Sequence, residues 1–459
     1  MPLLYQTLVC EERRVGEPMW TTNLALYTGC FAKTTRALVR HLLVVPLGSS
    51  GLGALSGALQ DSGMFSSGLR QVSVVAGVSA ASGADDSVHI FYTQLLPRVL
   101  FPSAVGDEFM HSDLRALSPE NAPCISMRLL ACDIALTDLN IRCAFPNALT
   151  LVSRSSASLG SLRLCDIAPV LAWDVMAMLG SPGSFAGLKA LALEFSDTST
   201  SPNTAVAESG PIALPGVLPL LKSLSIRHCP FDVRLCLAAI VPKLTKRVNR
   251  LASLEIHGSR ADVLMLAESR GLSAARSVVL ACVGMARPAV DRAERFVSSV
   301  FTGPSFAAVE SLSLTVIASR PVACISSDAI TCARLYTLEL RVPLRLGVAE
   351  SLLLQLPYLR RLCLPYIATE AAFLSPHVSG GKGRVLSRSL QLLSMGFWDC
   401  RQDLRALSYA VLCFVADIPS LLTLVHDTHV AGAVRRLIDG NSIDHLRNLV
   451  ITDHTKLSF

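Results

Sequence analysis

The sequence predicts an α/β fold, an irregular and curved solenoid of β/α units with a concave parallel sheet and helices outside it. Three observations carry the prediction. Apolar residues spaced three and then two positions apart recur along most of the chain. The last two apolar positions of each copy are separated by one residue, the alternation of a half-buried strand. Between copies lie segments with apolar residues three and four apart, the spacing of a helix.

The strands come first. The copies run as Leu159/Leu162/Leu164, Leu188/Leu191/Leu193, Leu221/Leu224/Ile226, Leu251/Leu254/Ile256 and Ala275/Val278/Leu280. They continue as Val309/Leu312/Leu314, Leu335/Leu338/Leu340, Leu359/Leu362/Leu364, Leu390/Leu393/Met395, Leu421/Leu424 and Leu446/Leu449/Ile451. These eleven anchors lie 24 to 34 residues apart, a regularity that marks an internal repeat. In "LLKSLSIRHCPF" (220–231), Leu224 and Ile226 point to one face of the strand. Ser223, Ser225 and Arg227 point to the other.

The helices follow. Residues 288–301 carry a proline near the helix start and a stripe of Val290, Ala293, Phe296, Val297 and Val300. Residues 170–179, 347–356 and 402–415 read the same way. A unit of this kind buries its leucines against its neighbours, so no copy is stable alone. Residues 159–459 therefore form the solenoid proper and 36–158 a more divergent repeat region, leaving 1–35 as an N-terminal segment. In the divergent region, the run 36–45 and Leu69, Val72 and Val74 read as earlier strands. Residues 48–57, 196–211 and 379–384 read as mobile loops, being rich in turn-forming residues.

Composition agrees with a large core. Of 459 residues 51% are hydrophobic and 17% charged, which argues against disorder. A formal net charge of +6 with both signs interspersed does not predict a nucleic-acid surface. No apolar run reaches the roughly 18 residues of a spanning helix, and the first residues lack the pattern of a signal peptide. A cytoplasmic or nuclear protein without membrane attachment is the expectation. The 14 cysteines include no CxxC or CxH pair, so they read as small buried hydrophobes rather than as a disulfide or metal framework.

The pattern L-x-x-L-x-L-x-x-N/C resembles the leucine-rich repeat family. Residues 221–229 match it to its final position, where Cys229 stands for the family's Asn or Cys and is expected to turn inward. Other copies carry Ser196, Ser259 or Ile367 there, so no continuous ladder of that position is expected. The first 30 residues, "MPLLYQTLVCEE…TTNLALYTGC", resemble the junction between F-box and repeats in divergent fungal F-box proteins. That resemblance implies the substrate-recognition part of a ubiquitin-ligase adaptor, with a ligase adaptor and a degradation substrate as partners. No Leu-Pro-x-Glu helix precedes the junction, so the adaptor-binding role falls on no residue of this chain.

The remaining chemistry is thin. "GSSGLGALSG" (48–57) has neither the Gly-Lys-Ser/Thr of a phosphate loop nor G-x-G-x-x-G, and "SGGKGR" (379–384) lacks the required spacing. There is no G-x-S-x-G elbow. "HDTH" (426–429) and "DHT" (453–455) each place histidine beside aspartate, but a metal needs three converging ligands. The basic run 243–250 lacks interleaved aromatics and reads as a solvated helix end. No catalytic, cofactor or metal residue is expected, and the chain is read as a non-enzyme.

Function then falls to the polar positions of the strands, which the concave face presents in rows. The rows are Ala192 and Glu194, Ser225 and Arg227, Glu255 and His257, Ser313 and Thr315, Glu339 and Arg341, and Arg361 and Cys363. Glu194, Arg227, Glu255, His257, Glu339, Arg341 and Arg361 are the residues expected to give specificity for a protein partner. The alternative is a regulatory or nucleic-acid-associated solenoid with no ligase link.

Overall fold

The computed structural model describes residues 7–10, 41–44, 71–74, 116–118, 136–143, 148–181, 183–196, 218–230, 251–258, 275–282, 290–303, 306–318, 320–325, 330–332, 334–368, 385–398, 404–426, 428–441, 446 and 448–453. The glycine-rich run 48–57, most of loop 196–211, the loop 379–384, the basic run 243–250 and residues 454–455 lie outside the described residues. The chain divides into two compact units, Met1–Phe231 with Leu235–Lys243, and Asp232–Arg234 with Leu244–Phe459.

Among the described residues the first unit holds eight strands: β1 (Thr7–Cys10), β2 (His41–Val44), β3 (Gln71–Val74), β4 (Ala116–Ser118), β5 (Asp138–Arg142), β6 (Ser161–Ile167), β7 (Ala190–Phe195) and β8 (Ser223–Arg227). Each pairs in parallel with the next in chain order. β2 and β3 fall where the sequence places early strands, and β1 falls inside the segment read as a junction. The register stacks Leu139, Leu162, Leu191 and Leu224 in one row and Ile141, Leu164, Leu193 and Ile226 in the next. All eight are buried. Alternation alone sends them inward, and burying each one stabilises the stack by roughly 1.5–3 kcal/mol. Helix α1 (Ala148–Ser155) follows β5, and α2 (Ala172–Leu179) follows β6 after a 3-10 turn begun by Pro169. α2 buries Ala172, Val175, Met176 and Leu179, one face at helical spacing.

The second unit repeats the device with β9 (Leu251–Gly258), β10 (Ala275–Cys282), β11 (Ser311–Val316), β12 (Thr337–Arg341), β13 (Leu344–Arg345), β14 (Arg361–Ala368), β15 (Leu392–Phe397), β16 (Thr423–His426) and β17 (Val450–Asp453). All pairings are parallel. One buried row runs Leu254, Val278, Leu312, Leu338, Leu362, Leu393 and Leu424 across seven strands. The helices are α3 (Val290–Thr302), α4 (Leu346–Gln355), α5 (Leu404–Ala416) and α6 (Thr428–Asn441). In α3 the predicted stripe residues Ala293, Phe296, Val297 and Val300 are buried. Each unit is thus a stack of parallel strands with buried apolar rows, and the described helices each follow a strand of the stack. Among the described residues no helix is long and apolar enough to cross a membrane.

A turn the motif does not show sets each strand's start. The N–H of the first anchor donates to the carbonyl three residues earlier at Phe185, Leu218, Phe306, Cys332, Leu356, Ile418 and Leu446. All seven turn residues are buried. One residue past the anchor, a carbonyl receives two N–H groups of the next repeat: that of Tyr336 accepts from Arg360 at 2.8 Å and Arg361 at 3.0 Å. Gly160, Lys189, Glu310, Arg360 and Gln391 do the same in their own repeats.

Three expectations need correction. In the last repeat Ile451 is in register with Leu424, and Leu449 closes the turn on Leu446. The triplet Leu446/Leu449/Ile451 is therefore shifted by one turn, because this copy has one residue fewer between turn and strand. Cys229 is half-buried rather than an inward core residue, although Ile167, at the equivalent place after a left-handed Asp166, is fully buried. Nor are the thiols uniformly buried, Cys324 being exposed.

Candidate partner-binding face

Because side chains alternate along a strand, the residues between the buried leucines form rows on the opposite face. In the second unit one row reads Glu255, Val279, Ser313, Glu339, Cys363 and Ser394 in register. The row beyond it reads His257, Ala281, Thr315 and Arg341. On β9, Glu255 Oε1 meets His257 Nε2 at 2.7 Å, with side chains only 30% and 23% exposed. On β12, Arg341 Nε donates to Glu339 Oε1 at 2.6 Å, and Ser313 Oγ donates to Glu339 Oε2 at 2.8 Å. Both oxygens of one carboxylate are therefore engaged, one within its strand and one by the strand before. The hydrogen bond and charge of Glu339 push the Arg341 pKa upward, so this guanidinium is fixed as a cation.

Val279 and Ala281 lie between the two clusters, on β10. Ala281 is buried and Val279 half-buried, so the two charged clusters flank a small apolar strip. In the first unit Arg163 Nη2 meets Glu194 Oε2 at 3.4 Å across β6 and β7. Glu194 stands in register with Arg227 on β8. Arg163 is a site residue the sequence reading passed over, although it occupies the same position between two leucines as Ala192 and Ser225. The signal was present in the first strong copy, Leu162-Arg163-Leu164.

The seven predicted residues thus separate into groups. Glu255 and His257 form one cluster, Glu339 and Arg341 another with Ser313. Glu194 and Arg227 stand on the first unit. Arg361 opens β14 as an exposed residue in register with Thr337, at the leading edge of the same face as Cys363.

The face does not stay open along the whole second unit. Ser394, Val425 and His426 are all fully buried, although alternation places Ser394 and Val425 on the polar side. The Cys363 thiol is pushed up by burial, partly offset by the Ser394 hydroxyl beside it. The row therefore changes from a part-exposed surface at β9–β12, through half-buried Cys363 on β14, to buried Ser394 on β15. Within β14 a bulge lies between Leu364 and Ile367, and Tyr366 there is exposed and meets Trp398, just past β15, edge-to-face at 6.2 Å between ring centres.

The histidines of 426–429 do not converge. His426 is fully buried with its ring 4.9 Å from that of Phe397, whereas His429 lies exposed on α6. Among the described residues no group of three or more His, Cys, Asp or Glu could hold a metal.

No protein-family model matches the chain, and no curated protein matches it. Among solved structures it is similar to an internalin from Listeria monocytogenes, at 12% identity and a TM-score of 0.35, over 79% of this chain and 94% of that one.

Proposed function

We propose that the chain is a non-enzymatic scaffold that binds protein through the polar face of β9–β12. One observation supports this above all. Two clusters of polar side chains, Glu255 with His257 and Glu339 with Arg341 and Ser313, flank the apolar strip of Val279 and Ala281. An apolar centre with polar groups on either side is the make-up of a specific protein interface. Charges already held in place lose little side-chain entropy when a partner docks, which favours affinity.

The test is affinity capture from the native cell with wild-type protein and with a Glu339→Lys/Arg341→Glu variant, side by side. The proposal expects bound proteins that the variant loses while its melting temperature stays within a few degrees. Recovery of the same proteins by both forms would sink it.

The finer reading is that this scaffold is the substrate-recognition part of an F-box-type ubiquitin-ligase adaptor, cytoplasmic or nuclear. It draws on the resemblance of residues 1–30 to the F-box junction and expects a cullin-ligase adaptor among the captured proteins. The alternative, a regulatory or nucleic-acid-associated array, expects bound RNA or DNA that high salt releases.

A further inference from the structure

At the leading edge of that face, where β12 and β14 begin, lies an open pocket of about 350 Å³ lined by Tyr336, Thr337, Arg360 and Arg361. Its four residues come from two adjacent repeats. The Tyr336 carbonyl accepts both the Arg360 and the Arg361 backbone N–H, which sets the two arginines next to that repeat, and both line the pocket. The Arg360 guanidinium sits over the Tyr336 ring, 5.7 Å from its centre. The ring face attracts the cation without using its N–H donors, which have no carboxylate partner among the described residues.

Both arginines are exposed, and neither pairs with a carboxylate among the described residues. This contrasts with Arg341 and Arg163, each of which has its own glutamate. Two adjoining cations without a counter-charge raise the local potential, and they call for an anion of matching charge. Thr337 adds a hydroxyl donor on the pocket wall.

We propose that this pocket receives the phosphomonoester of a phosphorylated side chain on a protein segment laid along the face. The proposal deepens the protein-binding reading and rests on it for its source of phosphate. The charge count selects phosphate over carboxylate: a phosphomonoester carries about −1.5 to −2 at neutral pH and has three acceptor oxygens. Two guanidinium forks and one hydroxyl match that set, whereas a single carboxylate would leave one fork unused.

The experiment is fluorescence anisotropy on the full chain with a labelled alanine-flanked phosphoserine peptide. Its serine and glutamate counterparts are run in parallel, and inorganic phosphate and a short oligouridylate serve as competitors. The phosphopeptide is expected to bind and the serine peptide not to. Arg360→Ala and Arg361→Ala are each expected to weaken binding roughly tenfold or more. Arg360→Lys, which keeps the charge but not the fork, should fall between, and it is the variant read if Arg360→Ala melts early. Inorganic phosphate should displace the peptide.

Three outcomes overturn the proposal. Binding unchanged in both arginine variants would mean an adventitious ion only. Equal binding of the glutamate peptide would mean that charge alone is read. Displacement by oligouridylate far below the concentration needed for inorganic phosphate would make this a nucleic-acid site. Since Glu339 and Arg341 carry no part of the peptide test, its failure leaves the partner-capture result standing by itself.

Discussion

At the scale of single residues, Gly396 shows how tightly one position can be set. A Cβ placed there would lie 2.5 Å from the Pro365 carbonyl oxygen, a backbone atom that cannot step aside. The β14 bulge brings that carbonyl against β15, so Gly396→Ala is expected to lower unfolding free energy by about 1–3 kcal/mol, read by urea melts. Gly347, in the first turn of α4, meets nothing within 4 Å. Gly347→Ala should instead stabilise, by roughly 0.5–1 kcal/mol. Burial pushes the Cys143 and Cys332 thiols up to about 12 from 9.0. Raised values mean that the folded chain keeps its protons where the unfolded chain loses them. That stabilisation is complete below pH 9 and disappears as pH climbs from 9 towards 12. Maleimide at pH 8 should accordingly label the exposed Cys324 while sparing Cys143 and Cys332, as mass spectrometry of tryptic peptides would show.

At the scale of elements, the leucine rows hold each strand and the polar rows do not. Leu338 is fully buried between Leu312 and Leu362, so Leu338→Ala should cost about 2–5 kcal/mol. Ser313→Ala, which removes one part-buried hydrogen bond to Glu339, should cost roughly 0.5–1.5 kcal/mol, and the same denaturant series measures both. The strands of the eleven copies, β2, β3 and four helices were legible because period alone places a side chain inward or outward, whereas β1, β4, β5, α1 and α6 went unread. The turn residues Phe306, Leu356 and Ile418 were legible only in hindsight, being single apolar residues three before an anchor, a spacing that helical segments also produce. β13 had no signal. Its two residues are held by Val322, whose N–H donates to Pro343 and whose carbonyl accepts from Arg345, a contact between distant parts of the chain. The polar rows were legible by position, but their pairing was not. Alternation says that Glu339 faces outward, while only the register shows Ser313 beside it and Ser394 buried further along.

At the scale of the whole molecule, each unit is a one-dimensional stack in which a repeat touches its neighbours in sequence. Stability in such an array is a sum of repeat terms and nearest-neighbour terms. Damage at one repeat should then spread along the stack and fade with distance. In Leu338→Ala, amide exchange measured by mass spectrometry should quicken most in β11, β12 and β14 and least in β5–β7, which belong to the other unit. Equal quickening everywhere would show a single cooperative body instead. The doubly accepting carbonyls at the strand starts carry a different consequence. There the chain path is fixed by peptide groups alone, so Lys189, Glu310, Tyr336, Arg360 and Gln391 occupy equivalent places with unlike chemistry. That edge is a row of addresses whose letters can be rewritten without disturbing the architecture that displays them.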